Sequence, residues 1–160
     1  MDWDWDENPI YESDRIRMDG SRSPLVVYSF KLPRQVSDDE IQIMLDYADL
    51  HLDRGLPYIA LIELHRGTGI IGARQRRMFA DWLEARKPQL GRDDFSTVVV
   101  VPEAIFRAVL RVVYRFRQPP IRTLTVASNR DAVDTVRDEL ARIGSPITPE
   151  TESFLRAMAS

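Results

Sequence analysis

Six consecutive residues, His65-Arg66-Gly67-Thr68-Gly69-Ile70, set an imidazole, a guanidinium, a hydroxyl and two glycines side by side. At the start of a helix such a group is a candidate anion site, through free amides and the positive end of the helix dipole. The spacing is not that of a P-loop, which needs GxxxxGK[ST], nor that of the dinucleotide fingerprint GxGxxG. The same residues also read as a capped strand-to-helix turn, with Thr68 as N-cap and the glycines supplying backbone freedom. Acid–base chemistry would need His65 to act with Glu63, a carboxylate that interrupts an apolar run. No second histidine or acid is placed to orient His65, so no catalytic residue is assigned, and Glu63 is expected to have a structural partner. The chain has no cysteine, and its two histidines are His51 and His65. That excludes disulfides, thiolate nucleophiles and multi-histidine metal centres. Neither a metal nor a cofactor is expected.

A second constellation is cationic. Arg107, Arg111 and Arg115 recur at i, i+4 and i+8, one stripe along a helix, while Ile105, Val109, Val112, Val113 and Phe116 give it a broad apolar surface. Residues 66–122 hold 12 basic and 5 acidic side chains, a net +7, in a chain whose formal charge is −3. Arginines one turn apart repel by roughly a few tenths of a kcal/mol per pair, so a counter-charge is expected. An acidic protein partner would supply it, as would the chain's own acidic N-terminus. The apolar surface fits a homodimer face or an apolar ligand such as a lipid. Nucleic acid is not an expected partner, because the chain as a whole lacks a basic excess; nor is a membrane.

Residue pattern predicts the elements that must position these groups. With 160 residues, 44% hydrophobic and 29% charged, the chain suits one soluble α/β domain. Strands are predicted at 24–30, 58–64, 96–101 and 123–127. The runs YIALIEL and STVVVV are almost wholly apolar, as strands buried on both faces of a parallel sheet are. Ser37-Asp38-Asp39-Glu40 reads as a capping box opening a helix that ends at Gly55. Further helices are predicted at 71–86, from Pro102-Glu103 to 117, from a Ser128 or Asn129 cap to 143, and at 151–158. The alternation βαβαβαβα predicts four mainly parallel strands joined by right-handed crossovers over residues 24–144, with 145–160 as a helical extension.

Residues 1–23 are expected to form an acidic, weakly structured arm. Asp2, Asp4, Asp6, Glu7, Glu12 and Asp14 precede any base, and Asn8-Pro9 and Asp19-Gly20-Ser21 read as breakers. Trp3 and Trp5 make the arm either a cap on the domain's own core or a docking arm for a basic groove, in cis or in trans. If it shields the arginine stripe, deleting residues 1–20 leaves the domain folded and raises its affinity for acidic partners. There is no apolar stretch of transmembrane length and no signal-like start, so a cytoplasmic address is expected.

The segments YIALIELHRGTG, RRMFADWLEARKP, STVVVVPEAIFRAVLRVV and TLTVASNRDAVDTVRDEL, in this order over roughly residues 24–143, resemble the STAS family (sulphate transporter and anti-sigma-factor antagonist), especially its divergent branch related to lipid-binding Sec14-type domains. The resemblance implies a non-catalytic regulatory or scaffolding module. It also implies a phosphorylatable hydroxyl after the second core strand, for which Thr68 is the counterpart. Arg66, Thr68, Gly69, Arg107, Arg111 and Arg115 are then the expected partner-binding residues. The alternative is a Sec14-like carrier with an apolar pocket between the sheet and the helix at 103–117.

Overall fold

The computed structural model of the chain describes residues 3–31, 35–63 and 72–160. Among the described residues six strands form one sheet whose spatial order follows the sequence: β1 (Ile10–Glu12), β2 (Ile16–Arg22), β3 (Leu25–Phe30), β4 (Tyr58–Glu63), β5 (Phe95–Val100) and β6 (Arg122–Val126). The helices are α1 (Asp38–Asp53), α2 (Ala73–Leu90), α3 (Ala104–Phe116), α4 (Asn129–Arg142) and α5 (Pro149–Ala159). The expected α/β class is observed, and the four strands read from the sequence are β3 to β6, each parallel to the next. The sheet as a whole is mixed rather than mainly parallel, because β1 and β2 extend it with two antiparallel pairings.

The parallel strands carry two cores. Val26, Tyr28, Tyr58, Ala60 and Phe95 face α1 and α2, while Leu25, Val27, Ile59, Leu61 and Val98 face α4 and α5. Alternate residues point to opposite faces, so burial on both requires the nearly continuous apolar runs seen in the sequence. The capping box of α1 forms as expected: the Ser37 hydroxyl accepts from the Glu40 amide at 3.2 Å, and the Glu40 carboxylate accepts from the Ser37 amide at 2.8 Å. Gly55 follows α1 with φ +64°, the left-handed conformation that closes a helix and favours glycine.

The N-terminal segment departs from expectation. Residues 10–12 and 16–22 are strands of the sheet, and Asp19-Gly20 lies within β2 instead of turning the chain. The register between Asp19 and Arg22 is irregular, as at a β-bulge. The Asp19 carboxylate holds this irregularity by accepting from the Ser21 amide at 3.1 Å and from Arg22 at 2.8 Å. Trp5 is buried, its ring 4.2 Å from that of Tyr47 in α1, and Trp3 meets Tyr11 edge-on at 4.9 Å. The two tryptophans therefore cap the domain's own core in cis. The segment's acids find local partners: Asp6 takes a two-pronged pair from Arg54 at 2.9 and 2.7 Å, and Glu12 pairs with Arg17 and Lys31, each at 2.7 Å. None of these pairs involves the arginines of α3.

Candidate functional site

Helix α3 leaves β5 through Val101, Pro102 and Glu103. The Arg107 guanidinium reaches back to that connection, donating to the carbonyls of Val101 and Pro102 at 2.7 and 2.6 Å. Arg107 is thus occupied with the start of its own helix. Arg111 and Arg115 are exposed and have no hydrogen bond or ion pair among the described residues. The stripe read from the sequence is therefore divided into one structural arginine and two that face solvent.

The apolar side of α3 is uncovered. Ile105 and Phe116 are 78% and 85% exposed, and Val109, Val112 and Val113 are exposed as well. Five side chains at helical spacing thus share one outward face. In α4 the equivalent stripe of Val133, Val136 and Leu140 is buried against the sheet. Full burial of such a side chain contributes about 1.5–3 kcal/mol, so the face leaves several kcal/mol unrealised in the isolated chain. An exposed apolar face of this kind is the sort of surface that interaction sites use.

Between α3 and β6 runs an open cleft of about 520 Å³. Arg107, Arg111 and Tyr114 line one wall, Thr123 and Thr125 the other, and Asp131 of α4 closes one end. Asp131 is held by a 2.8 Å hydrogen bond from the Ser128 hydroxyl, part of the α4 cap. Burial pushes the Tyr114 phenol up from its ordinary pKa, so it stays protonated as a donor at neutral pH. Sequence reasoning did not single out Tyr114. Its spacing was the available signal, since it follows Arg107 by seven residues and Arg111 by three, which puts all three on one flank.

A separate apolar cavity of about 140 Å³ lies between the sheet and helices α1 and α2, lined by Tyr28, Tyr58, Phe79, Trp82 and Phe95 among others. The buried hydroxyls of Tyr28 and Tyr58 satisfy each other at 2.9 Å. A cavity near 150 Å³ holds a benzene-sized group, and drug-sized ligand sites run from about 300 Å³ upward. It lies under α1 and α2; between the sheet and α3, where the carrier reading placed an apolar pocket, is the open cleft lined by Arg107, Arg111, Tyr114, Thr123 and Thr125. His51 is buried in the same core beside Tyr47 and Tyr58, and its Nδ1 donates to the Tyr47 carbonyl at 3.1 Å. Burial lowers its pKa, so it is a neutral packing residue at pH 7.

His65, Arg66, Thr68 and Gly69 lie outside the described residues. The N-cap of α2 is Gly72, four residues after Thr68, which corrects the reading of Thr68 as that cap. Glu63 ends β4 half-buried, in register with Val100 at the end of β5. The chain thus enters residues 64–71 and the α3 connection from the same end of the sheet, where α/β folds gather their ligand-binding segments. Among the described residues no helix is long and apolar enough to cross a membrane. Comparison of the chain with protein-family models, with curated proteins and with solved structures finds no match.

Proposed function

We propose that the chain is a non-catalytic regulatory or scaffolding module of STAS-like fold, and that it binds a protein partner through α3. The observation that carries this reading is the outward apolar face from Ile105 to Phe116, flanked by Arg111 and Arg115 without partners of their own among the described residues. The sequential order of β3 to β6, with a helix after each, supports the STAS-like assignment. A phosphate on Thr68 would act as a switch, the role that the family resemblance implies for it.

The test is a photo-crosslinking residue at Val112 in the full chain, expressed in its native cell. The expected result is a discrete protein adduct that is lost with Ile105→Asp or Phe116→Asp while the circular dichroism spectrum is unchanged. Absence of any adduct would overturn the reading, as would steady turnover of a small substrate that is lost on changing His65 or Thr68.

A further inference from the structure

We propose that the free edge of β6 takes up an extended, acidic segment of a partner protein as a seventh strand, beside the arginine flank of α3. This rests on the docking-module reading and names the conformation and charge of what docks.

The backbone carries the argument. The Val101 amide donates to the Val126 carbonyl at 2.8 Å, and Val126 pairs in register with Val100. Val126, Leu124 and Arg122 therefore turn their amides and carbonyls toward β5. Strand alternation turns those of Thr123 and Thr125 to the opposite, outer side. No backbone hydrogen bond reaches that side from any described residue. Two donors and two acceptors thus stand in a row at the two-residue repeat of a β-ladder, about 6.6–6.8 Å, which an extended chain matches. Natural edges are usually blunted by proline, a bulge or inward charge; β6 has neither proline nor bulge, and its one charged residue, Arg122 at its first position, is paired with Glu139 of α4.

The cleft wall supplies the charge preference. Leu124 packs toward α4 and α5, so the side chains of Thr123 and Thr125 point to the other face, and they share the cleft with Arg107, Arg111 and Tyr114. A guest strand on β6 would send alternate side chains toward this same face. A carboxylate there meets Arg111, which has no other partner among the described residues, and the Tyr114 hydroxyl; charge-assisted bonds to guanidinium are the stronger kind. Among the described residues that line the cleft the one acid is Asp131, at its far end in the α4 cap, where it accepts from the Ser128 hydroxyl. A second copy of the chain is the poorer occupant. Antiparallel pairing of β6 with β6 would set two α3 helices on one face of the joined sheet and bring their arginines together. Main-chain bonding to an exposed edge with side-chain selection is an established recognition mode, and here the selection would be for charge.

The test uses the isotopically labelled full chain and a capped hexapeptide of alternating valine and glutamate, read by amide hydrogen exchange. Exchange at Thr123 and Thr125 should slow by about tenfold or more in the peptide complex, as for amides newly bonded in a ladder. Arg111→Glu, a surface change that leaves the fold untouched, should weaken the peptide by about tenfold or more, and the lysine-for-glutamate peptide should bind as poorly. Thr125→Pro should act like Arg111→Glu, because it deletes an outward donor and spares the ladder to β5. Val112→Ser with Phe116→Ser should leave peptide binding unchanged, which separates this edge from the apolar face of α3. The proposal is overturned if the peptide binds without protecting Thr123 and Thr125, if the lysine peptide binds equally, or if those amides are already protected by self-association. Failure of the peptide alongside a α3 crosslink would remove the seventh strand and leave the docking reading standing.

Discussion

Gly20 in β2 lies so close to Tyr47 in α1 that a β-carbon on it would overlap the phenol hydroxyl and the ring carbon that bears it. The glycine permits a strand and a helix to approach, whereas Asp19-Gly20-Ser21 in isolation reads as a turn. Gly20→Ala is expected to destabilise the protein by about 1–3 kcal/mol, the usual range for overpacking. Tyr47→Phe in the same chain should recover part of that loss, because the hydroxyl is the nearest obstacle. Urea denaturation of the two single variants and the double variant checks it; strictly additive losses would show that the two residues do not conflict.

The segment before β3 should not be removable. Deleting residues 1–22 takes away β1, β2 and the buried side chains of Trp5, Tyr11, Ile16 and Met18. Each such side chain contributes about 1.5–3 kcal/mol, and a domain of this size has only about 5–15 kcal/mol in hand. The truncated chain is expected to lose its cooperative thermal transition. A truncated form that melts as sharply as the full chain, with tighter binding to acidic partners, would restore the shielding-arm reading.

His51 gives the protein a pH dependence of definite sign. Burial holds its folded pKa below the ordinary 6.5, so as pH falls the unfolded chain takes up the proton first. Stability is therefore complete above about pH 6.5, declines below it, and levels off once the folded form is protonated too. The carboxylates held low by basic partners, among them Asp6 by Arg54 and Glu12 by Lys31 and then Arg17, add their own losses only in more acidic solution. The denaturation midpoint should drop between about pH 7 and pH 5, and His51→Gln should flatten that slope. An unchanged slope in the variant would assign the dependence to another group.

What the sequence disclosed and what it hid divide along physical lines. β3 to β6 and their helices were legible because burial on two faces demands unbroken apolar runs, and an amphipathic helix demands the 3.6-residue repeat; Ser37, Glu40 and Gly55 then marked the ends of α1. β1 and β2 were not legible, because β2 reads Ile-Arg-Met-Asp-Gly-Ser-Arg, whose Asp-Gly-Ser also makes local turn-like bonds, and what seats Gly20 in a strand is the Tyr47 ring of the later helix α1, a contact no local rule foresees. For α3 the pattern gave the apolar face correctly and could not say what covers it. Periodicity fixes which residues share a side of a helix, not whether that side meets the sheet. The division of the arginine stripe was hidden for the same reason, since the role of Arg107 depends on where the chain before α3 places two carbonyls.

Glu139 ties α4 to the edge strand. It is buried, and takes hydrogen bonds from Arg122 of β6 at 3.0 Å and from Arg142 at 2.9 Å. Burial alone would raise its pKa, but the bonds from Arg142 and Arg122 outweigh that and hold the carboxyl below its ordinary value. Both arginines are partly exposed and regain water when the carboxylate is removed, so Glu139→Gln should cost about 1–2 kcal/mol rather than the larger penalty of a stranded buried charge. The difference from the parent chain should shrink in acid, where the parent's own carboxyl is protonated. A difference that is constant from neutral to acidic pH would show that packing, not charge, sets the effect.

The exposure of α3 makes its valines energetically unlike those of α4, and this is the point on which the docking surface stands or falls. Val133 is buried under the sheet, so Val133→Ala removes methyl groups from a packed site and should cost about 1–3 kcal/mol. Val112 and Phe116 touch solvent over most of their surface, so Val112→Ser and Phe116→Ser should change stability by no more than about 0.5 kcal/mol, serine and valine having similar helix propensity. Denaturation midpoints of the three variants at equal, low concentration give the comparison. A loss at Phe116 as large as that at Val133 would mean that α3 is packed against something in the isolated chain, and the face would no longer be available to a partner. The expected near-zero effect means the opposite: these apolar side chains contribute almost nothing to folding, and the face is open to the docking proposed for it.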